Sequence, residues 1–156
     1  MIVHLVDGTS ELVRQHFGRP PAGPAPAAAA VVRWTLRLLE DGATHVGVAS
    51  DHVIESFRND LWPGYKSSEG MPPELLSQFP LLEEALGAAG FVVFPMVEFE
   101  ADDALGAAAA VAAADPAVDQ VLICTPDKDL GQCVEGERVV QLDRRKNVVF
   151  DAAGLE

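Results

Sequence analysis

The chain is poor in positive charge: 11 lysines and arginines stand against 24 aspartates and glutamates, a formal net charge of −13 over 156 residues. So thin a basic footprint argues against nucleic-acid binding by charge alone. Cysteine is scarce too. Cys124 and Cys133 are too few for a disulfide framework, and their spacing matches no zinc motif, which fits a reducing, cytoplasmic setting. No apolar run is long enough to span a membrane, so no membrane partner is expected. The opening Met1-Ile2-Val3-His4-Leu5-Val6 has no basic leader and runs straight into Asp7, so no signal peptide is expected. There is no internal repeat, and no organic cofactor is expected.

What is present is a globular composition. Hydrophobic residues make up 49% of the chain, enough for one domain with a sizeable core. Ile2–Val6 reads as a buried strand ending at Asp7-Gly8, after which Thr9 or Ser10 caps a short helix to Phe17. Gly18–Pro26 is a proline-rich loop. Ala27–Leu39 is a helix whose apolar face holds Val31, Val32, Trp34, Leu36, Leu38 and Leu39. His45–Ala49 is a second strand, ending at Ser50-Asp51. The polar segment 52–73 follows, the one place where Arg and Lys interleave with aromatics: Phe57-Arg58, Trp62, Tyr65-Lys66.

Pro72-Pro73-Glu74 opens a helix to about Ala89 that aligns Leu75, Phe79, Leu82 and Leu86. Phe91–Phe94 is a third strand. An acidic turn and an alanine-rich helix over 104–114 come next. Gln120–Cys124 is a fourth strand, followed by a short helix to Cys133. Arg138–Leu142 and Asn147–Phe150 read as two strands joined by the basic turn Arg144-Arg145-Lys146. Strands alternating with helices imply a three-layer α/β fold, a mainly parallel twisted sheet with helices on both faces. Such sheets bind ligands beyond the carboxyl ends of their strands.

Those ends are acidic. The first strand delivers Asp7 and the second Asp51. The third leads into Glu98-Phe99-Glu100-Ala101-Asp102-Asp103, four acids in six residues, and the fourth into Asp127 and Asp129. A single acid there is ordinary, since Asp suits turns and helix N-termini. Four consecutive strands ending alike point instead to a shared cation, because clustered carboxylates repel without one. An all-oxygen set with no His or Cys among it favours Mg²⁺ or Mn²⁺ over zinc. The matching chemistry is phosphodiester hydrolysis with two ions about 3.5–4 Å apart. Glu100 and Asp103 share a face if the turn is helical, and Asp127 and Asp129 share a side if theirs is extended.

Val6-Asp7-Gly8, Ser56-Phe57-Arg58 with Tyr65-Lys66, Glu100-Ala101-Asp102-Asp103, and Thr125-Pro126-Asp127-Lys128-Asp129 together resemble the N-terminal catalytic part of the 5′-nuclease superfamily. That superfamily comprises flap endonucleases, bacterial 5′–3′ exonucleases and the 5′-nuclease domain of bacterial repair DNA polymerases. The resemblance implies a PIN-like, resolvase-like fold over 1–156 with an arch-like insertion at about 52–73. It implies Mg²⁺- or Mn²⁺-dependent cleavage of DNA with a 5′ end or 5′ flap, using two ions. Asp7, Asp51, Glu100, Asp102 and Asp103 would hold the first ion and Asp127 and Asp129 the second. Arg58 and Lys66 would be catalytic, Lys66 reaching the scissile phosphate. Arg58, Tyr65, Lys66 and Lys128 would meet the nucleic acid, Tyr65 by stacking on a base.

The chain departs from the family pattern at Pro126, where Gly is usual, at Ser50, where Phe is usual, and at Ser67-Ser68-Glu69, where an Arg is usual. The resemblance also implies a C-terminal helix–three-turn–helix DNA-binding part that these 156 residues do not include. Two other readings stay open on the residues themselves: a PIN-type ribonuclease, which the 52–73 segment disfavours, and a nucleic-acid-binding remnant without turnover.

Overall fold

The computed structural model describes residues 1–18 and 25–154. The sheet has six strands: β1 (Ile2–Asp7), β2 (His45–Asp51), β3 (Val92–Met96), β4 (Gln120–Cys124), β5 (Val139–Asp143) and β6 (Val148–Phe150), in the order β3-β2-β1-β4-β5-β6. All neighbours run parallel except β5 and β6, which form the expected hairpin. Pro95 lies in β3, an edge strand, where a missing N–H is tolerated.

The chain builds from β1 outward to β3, then returns across the sheet to β4. That reversal puts the later helix on the opposite face and leaves a crevice between the ends of β1 and β4. On one face, α1 (Gly8–Gly18), α2 (Pro26–Glu40) and α5 (Gln78–Ala88) pack over Val6, Val46 and Val48 through Leu12, Val31, Leu38, Leu82 and Leu86. On the other, α6 (Ala101–Ala114) lays Ala101, Leu105 and Ala109 against Leu5, Val121 and Ile123. Its small side chains let it lie close to the sheet. The two short helices α3 (Arg58–Leu61) and α4 (Pro73–Leu76) belong to the connection between β2 and β3.

Several expectations shift. The helix expected from Pro73 to Ala89 is two helices, broken at Ser77, though Leu75, Phe79, Leu82 and Leu86 are all buried as read. Gly90 takes φ 91° after α5, a conformation open to glycine. On α2, Leu36 and Leu39 face solvent, and Thr35 is buried instead, its hydroxyl donating to Val31 O at 2.9 Å. The internal bond makes the threonine compatible with burial. Neither Thr9 nor Ser10 caps α1; Asp7 does, accepting from Ser10 N at 2.8 Å. α6 begins at Ala101 rather than 104, so the acids of its first turn are already helical. His4 sits in β1 with Nδ1 buried and unpartnered, and burial lowers its pKa. Most of the loop expected over Gly18–Pro26, and Leu155-Glu156, lie outside the described residues. Among the described residues no helix is long and apolar enough to cross a membrane.

Candidate metal centre

A cleft of about 560 Å³ opens at the carboxyl ends of β1, β2 and β4, lined by Asp7, Asp51, Glu100, Asp102, Asp127 and Asp129, with Lys66, Lys128, Arg145, Thr9 and Ser10. The topology explains the convergence. β1 and β2 are in register with Asp7 opposite Ala49, so Asp51 projects just beyond it. Gly8 permits α1 to start immediately after Asp7. A Cβ there would lie 2.8 Å from Ala49 O and from Val48 Cγ1, so any other residue would push α1 off β2.

Each acid has its own surroundings. Asp7 is buried; besides Ser10 N it accepts from Thr125 Oγ1 at 2.8 Å. Burial pushes its carboxyl up to about 6, with Asp51 and Glu11 adding to the rise and the two hydrogen bonds opposing it. Asp51 is buried and bridges two elements, accepting from Ala101 N at 2.8 Å and from Lys66 Nζ at 2.7 Å. Its own N–H donates to Thr9 Oγ1 at 2.8 Å. Glu100 accepts from Ser56 Oγ at 2.7 Å and from Arg58 at 3.2 Å, with Lys66 Nζ 3.8 Å away. Glu100 and Asp103 cap the first turn of α6 reciprocally.

Asp102 and Asp103 are adjacent in sequence and opposite in fate. Asp102 faces the cleft and has no ion-pair partner among the described residues. Burial, then the charges of Asp7, Asp127, Asp51 and Glu100, push its carboxyl up to about 7. Asp103 does not line the cleft. It takes a two-pronged bond from Arg58, both arms 2.8 Å, which holds its carboxyl below the usual range. Asp103 thus faces a smaller adjoining cleft with Arg58, Tyr65 and Cys133.

Asp127 and Asp129 sit exposed at the mouth. Their stretch is not extended: Asp127 caps a 3-10 helix over Lys128–Cys133 by accepting from Asp129 N at 2.9 Å. Pro126 fits because the turn is held by its neighbours. Asp127 N donates to Thr125 Oγ1 at 3.2 Å, and Gln141 Nε2 donates to the carbonyls of Thr125 and Asp127 at 3.1 and 2.6 Å. Ser50 and His52 both turn to Glu83, at 2.6 and 2.7 Å, so His52 stays out of the cleft. β5 is a fifth parallel strand ending in an acid, but Asp143 is used up by its own turn.

The segment 52–73 folds down onto the acids through Ser56, Arg58 and Lys66. Ser68 N and Oγ both donate to Glu55, at 2.7 and 2.6 Å, which ties the base of the segment together. Leu61 and Trp62 are largely exposed and Tyr65 is half-exposed. Among the described residues no three His, Cys, Asp or Glu side chains already stand in ligand geometry around one point. Lys66 Nζ lies 2.7 Å from Asp51 and 3.8 Å from Glu100, and Thr125 Oγ1 donates to Asp7. The donor set nevertheless suits a hard cation, since every candidate ligand is a carboxylate oxygen and Asp102 has no cationic partner among the described residues. Sequence reasoning missed Thr9, Ser56, Gln141 and Arg145. The first three act through hydrogen bonds that no spacing announces. Arg145 was visible only as part of a basic turn.

Residues 2–156 match the family model of the 5′-3′ exonuclease N-terminal resolvase-like domain. Among curated relatives, DNA polymerase I of Rhizobium leguminosarum is 34% identical over 145 residues, covering 83% of this chain and 14% of the relative. DNA polymerase I of Geobacillus stearothermophilus is 32% identical over 148 residues, covering 90% of this chain and 17% of the relative. The chain therefore spans less than a fifth of the length of these relatives. Among solved structures, a bacteriophage T5 flap endonuclease in a pseudo-enzyme-product complex with DNA and metal ions matches with a TM-score of 0.71 at 22% identity, covering 97% of this chain and 58% of that one. T5 5′-exonuclease with bound zinc matches with a TM-score of 0.67 at 17% identity, over the same shares of the two chains. The T5 matches establish the fold; the family model and the polymerase relatives show that this chain belongs to the 5′-3′ exonuclease N-terminal, resolvase-like domain family.

Proposed function

We propose that this domain is the catalytic part of a divalent-metal-dependent nuclease that hydrolyses DNA phosphodiester bonds at 5′ ends or 5′ flaps. The observation that carries this reading is the convergence of Asp7, Asp51, Glu100, Asp102, Asp127 and Asp129, carried beyond the ends of separate strands, on one cleft, where Asp102 has no ion-pair partner among the described residues. Such a cluster is electrostatically unfavourable on its own and favourable around cations. Mg²⁺ or Mn²⁺, as a pair, matches the oxygen donors. The polymerase and T5 relatives support DNA over RNA.

Asp7, Asp51, Glu100 and Asp102 would hold the first ion, with Asp127 and Asp129 toward the second. When bound, the ions make water a better nucleophile and offset the charge that builds on the phosphate. The chain's own residues do the rest. Lys66 leaves Asp51 for the scissile phosphate as the strand arrives, supplying positive charge where negative charge develops. Asp103 holds Arg58 in a fixed fork, so the guanidinium stays beside Glu100 and near the path of the strand. The half-exposed Tyr65 offers a stacking face for a base. Lys128, at the mouth, meets the backbone.

Incubation with a 5′-flap DNA duplex and with single-stranded RNA, each in Mg²⁺ and in EDTA, tests the reading. DNA cutting that needs Mg²⁺ and is lost in Asp102→Ala is expected. Cutting of RNA alone would replace it with a ribonuclease. A folded chain that cuts neither would make the domain a binding module.

A further inference from the structure

Three successive cations in the β5–β6 turn have three different fates. Arg144 points inward: its guanidinium donates to the buried Glu11 on α1 at 2.5 Å and lies 3.9 Å over the Trp34 ring on α2. Lys146 points to solvent, its Nζ 4.0 Å from Asp143 and its side chain 65% exposed. Arg145, between them, lines the acidic cleft.

The turn is held from below. The buried carboxylate of Asp143 accepts from the backbone N–H of Arg145 at 2.9 Å and of Lys146 at 3.4 Å. Asn147 closes the turn at φ 53°. Arg145's own side chain is held loosely. Its two contacts to Asp143 are both 3.4 Å, and it is 53% exposed. A rigid backbone thus presents a guanidinium whose donors are free to take a better acceptor.

The cleft asks for such a group. Its lining is dominated by carboxylates, which repel an anionic strand. Lys66 answers this from the β2–β3 side of the sheet. From the β5 side the wall would otherwise offer an approaching phosphate Asp127 and Asp129, with Lys128 between them at the mouth as its one cation. A planar fork suits phosphodiester oxygens better than any other side chain.

We infer that Arg145 is a substrate-binding residue: it takes a phosphodiester of the strand on the wall facing Lys66, with Arg144 as the anchor that aims it. This rests on the nuclease reading for its substrate but not for its test. The probe is a fluorophore-labelled 5′-flap DNA duplex, its anisotropy followed across a salt series in Mg²⁺, with Asp102→Ala as the parent so that the strand stays whole. Loss of one phosphate contact lowers the magnitude of the log–log salt slope by about 0.9, equivalent to roughly an eightfold weaker affinity at 0.1 M salt relative to a 1 M reference. Arg145→Ala in that parent is expected to show both changes, Arg145→Lys to keep most of the slope, and Lys146→Ala to leave it in place. An unchanged slope in Arg145→Ala, an equal loss in Lys146→Ala, or a parent that does not bind the duplex would each overturn the inference. If unmutated protein fails to cut DNA while Arg145→Ala still lowers the slope, the nuclease reading fails and this one stands.

Discussion

On the Lys66 side of the cleft, Asp51, Glu100 and Asp103 each hold a cation of the 52–73 segment, and the carboxyl of Asp103 lies below its usual range. In the same cleft Asp7 and Asp102 hold none, and their carboxyls are pushed up to about 6 and about 7. All five are carboxylates lining one cleft or its neighbour. What differs is whether the chain supplies its own positive charge. One half of the site is neutralised from within, by Arg58 and Lys66. The other half has no cation of its own, and burial and neighbouring acids raise its carboxyls. The contrast between Asp102 and Asp103, neighbours on one helix turn, shows that an acidic motif does not assign equal roles to its acids.

The comparison can be broken most easily at that pair. Asp102→Ala is expected to lower cleavage of 5′-flap DNA more than about a thousandfold, because it removes a charge that no neighbouring group replaces; single-turnover kinetics reads this directly. Lys66→Met is expected to lower the rate about a hundredfold, as loss of one group stabilising the phosphate does. Asp103→Ala is expected to be mild, about tenfold or less in rate. Its main effect should be on folding, about 1 kcal/mol from the lost α6 cap, read as a shift in urea midpoint. A rate loss in Asp103→Ala as deep as in Asp102→Ala would show that the two acids share one role after all.

The subtlest expected effect is a pH dependence. Between pH 5 and 8 the folded state gives up protons, held on Asp7 and Asp102, that the unfolded chain has already released near pH 4. Stability therefore falls as pH rises through the folded values of about 6 and about 7. Buried His4 works the other way below its ordinary value, so the difference between variants is the cleaner measure. In EDTA, Asp102→Asn should lose less thermal midpoint over that range than the unmutated chain, and added Mn²⁺ should restore the latter at pH 8. Identical pH profiles for the two proteins would remove the electrical distinction between the walls.

Much of this was legible in the chain itself. The Val- and Ile-rich runs marked the strands, and the acids at their ends marked one edge of a parallel sheet. The strand order was not legible: the reversal between β1 and β4 that brings Asp7, Asp51, Glu100 and Asp127 together is a property of the folded sheet that no single motif announces. The partition of those acids was not legible. It depends on where Arg58 and Lys66 land after the 52–73 segment folds back, and side-chain reach leaves no periodic trace. The break at Ser77 escaped for a related reason, since both halves keep the same apolar face. Thr35 was hidden because its hydroxyl bonds its own helix. The 3-10 turn at Asp127 depends on Gln141, a residue from another strand.

Isothermal titration of Mn²⁺ into the metal-free chain at pH 6, repeated in buffers of different ionisation enthalpy, tests the cleft's charge state most directly. The structure predicts binding accompanied by release of most of one proton or more, with the release reduced by the share Asp102 carries in Asp102→Asn. Binding with no proton release, or no binding at millimolar Mn²⁺, would contradict it.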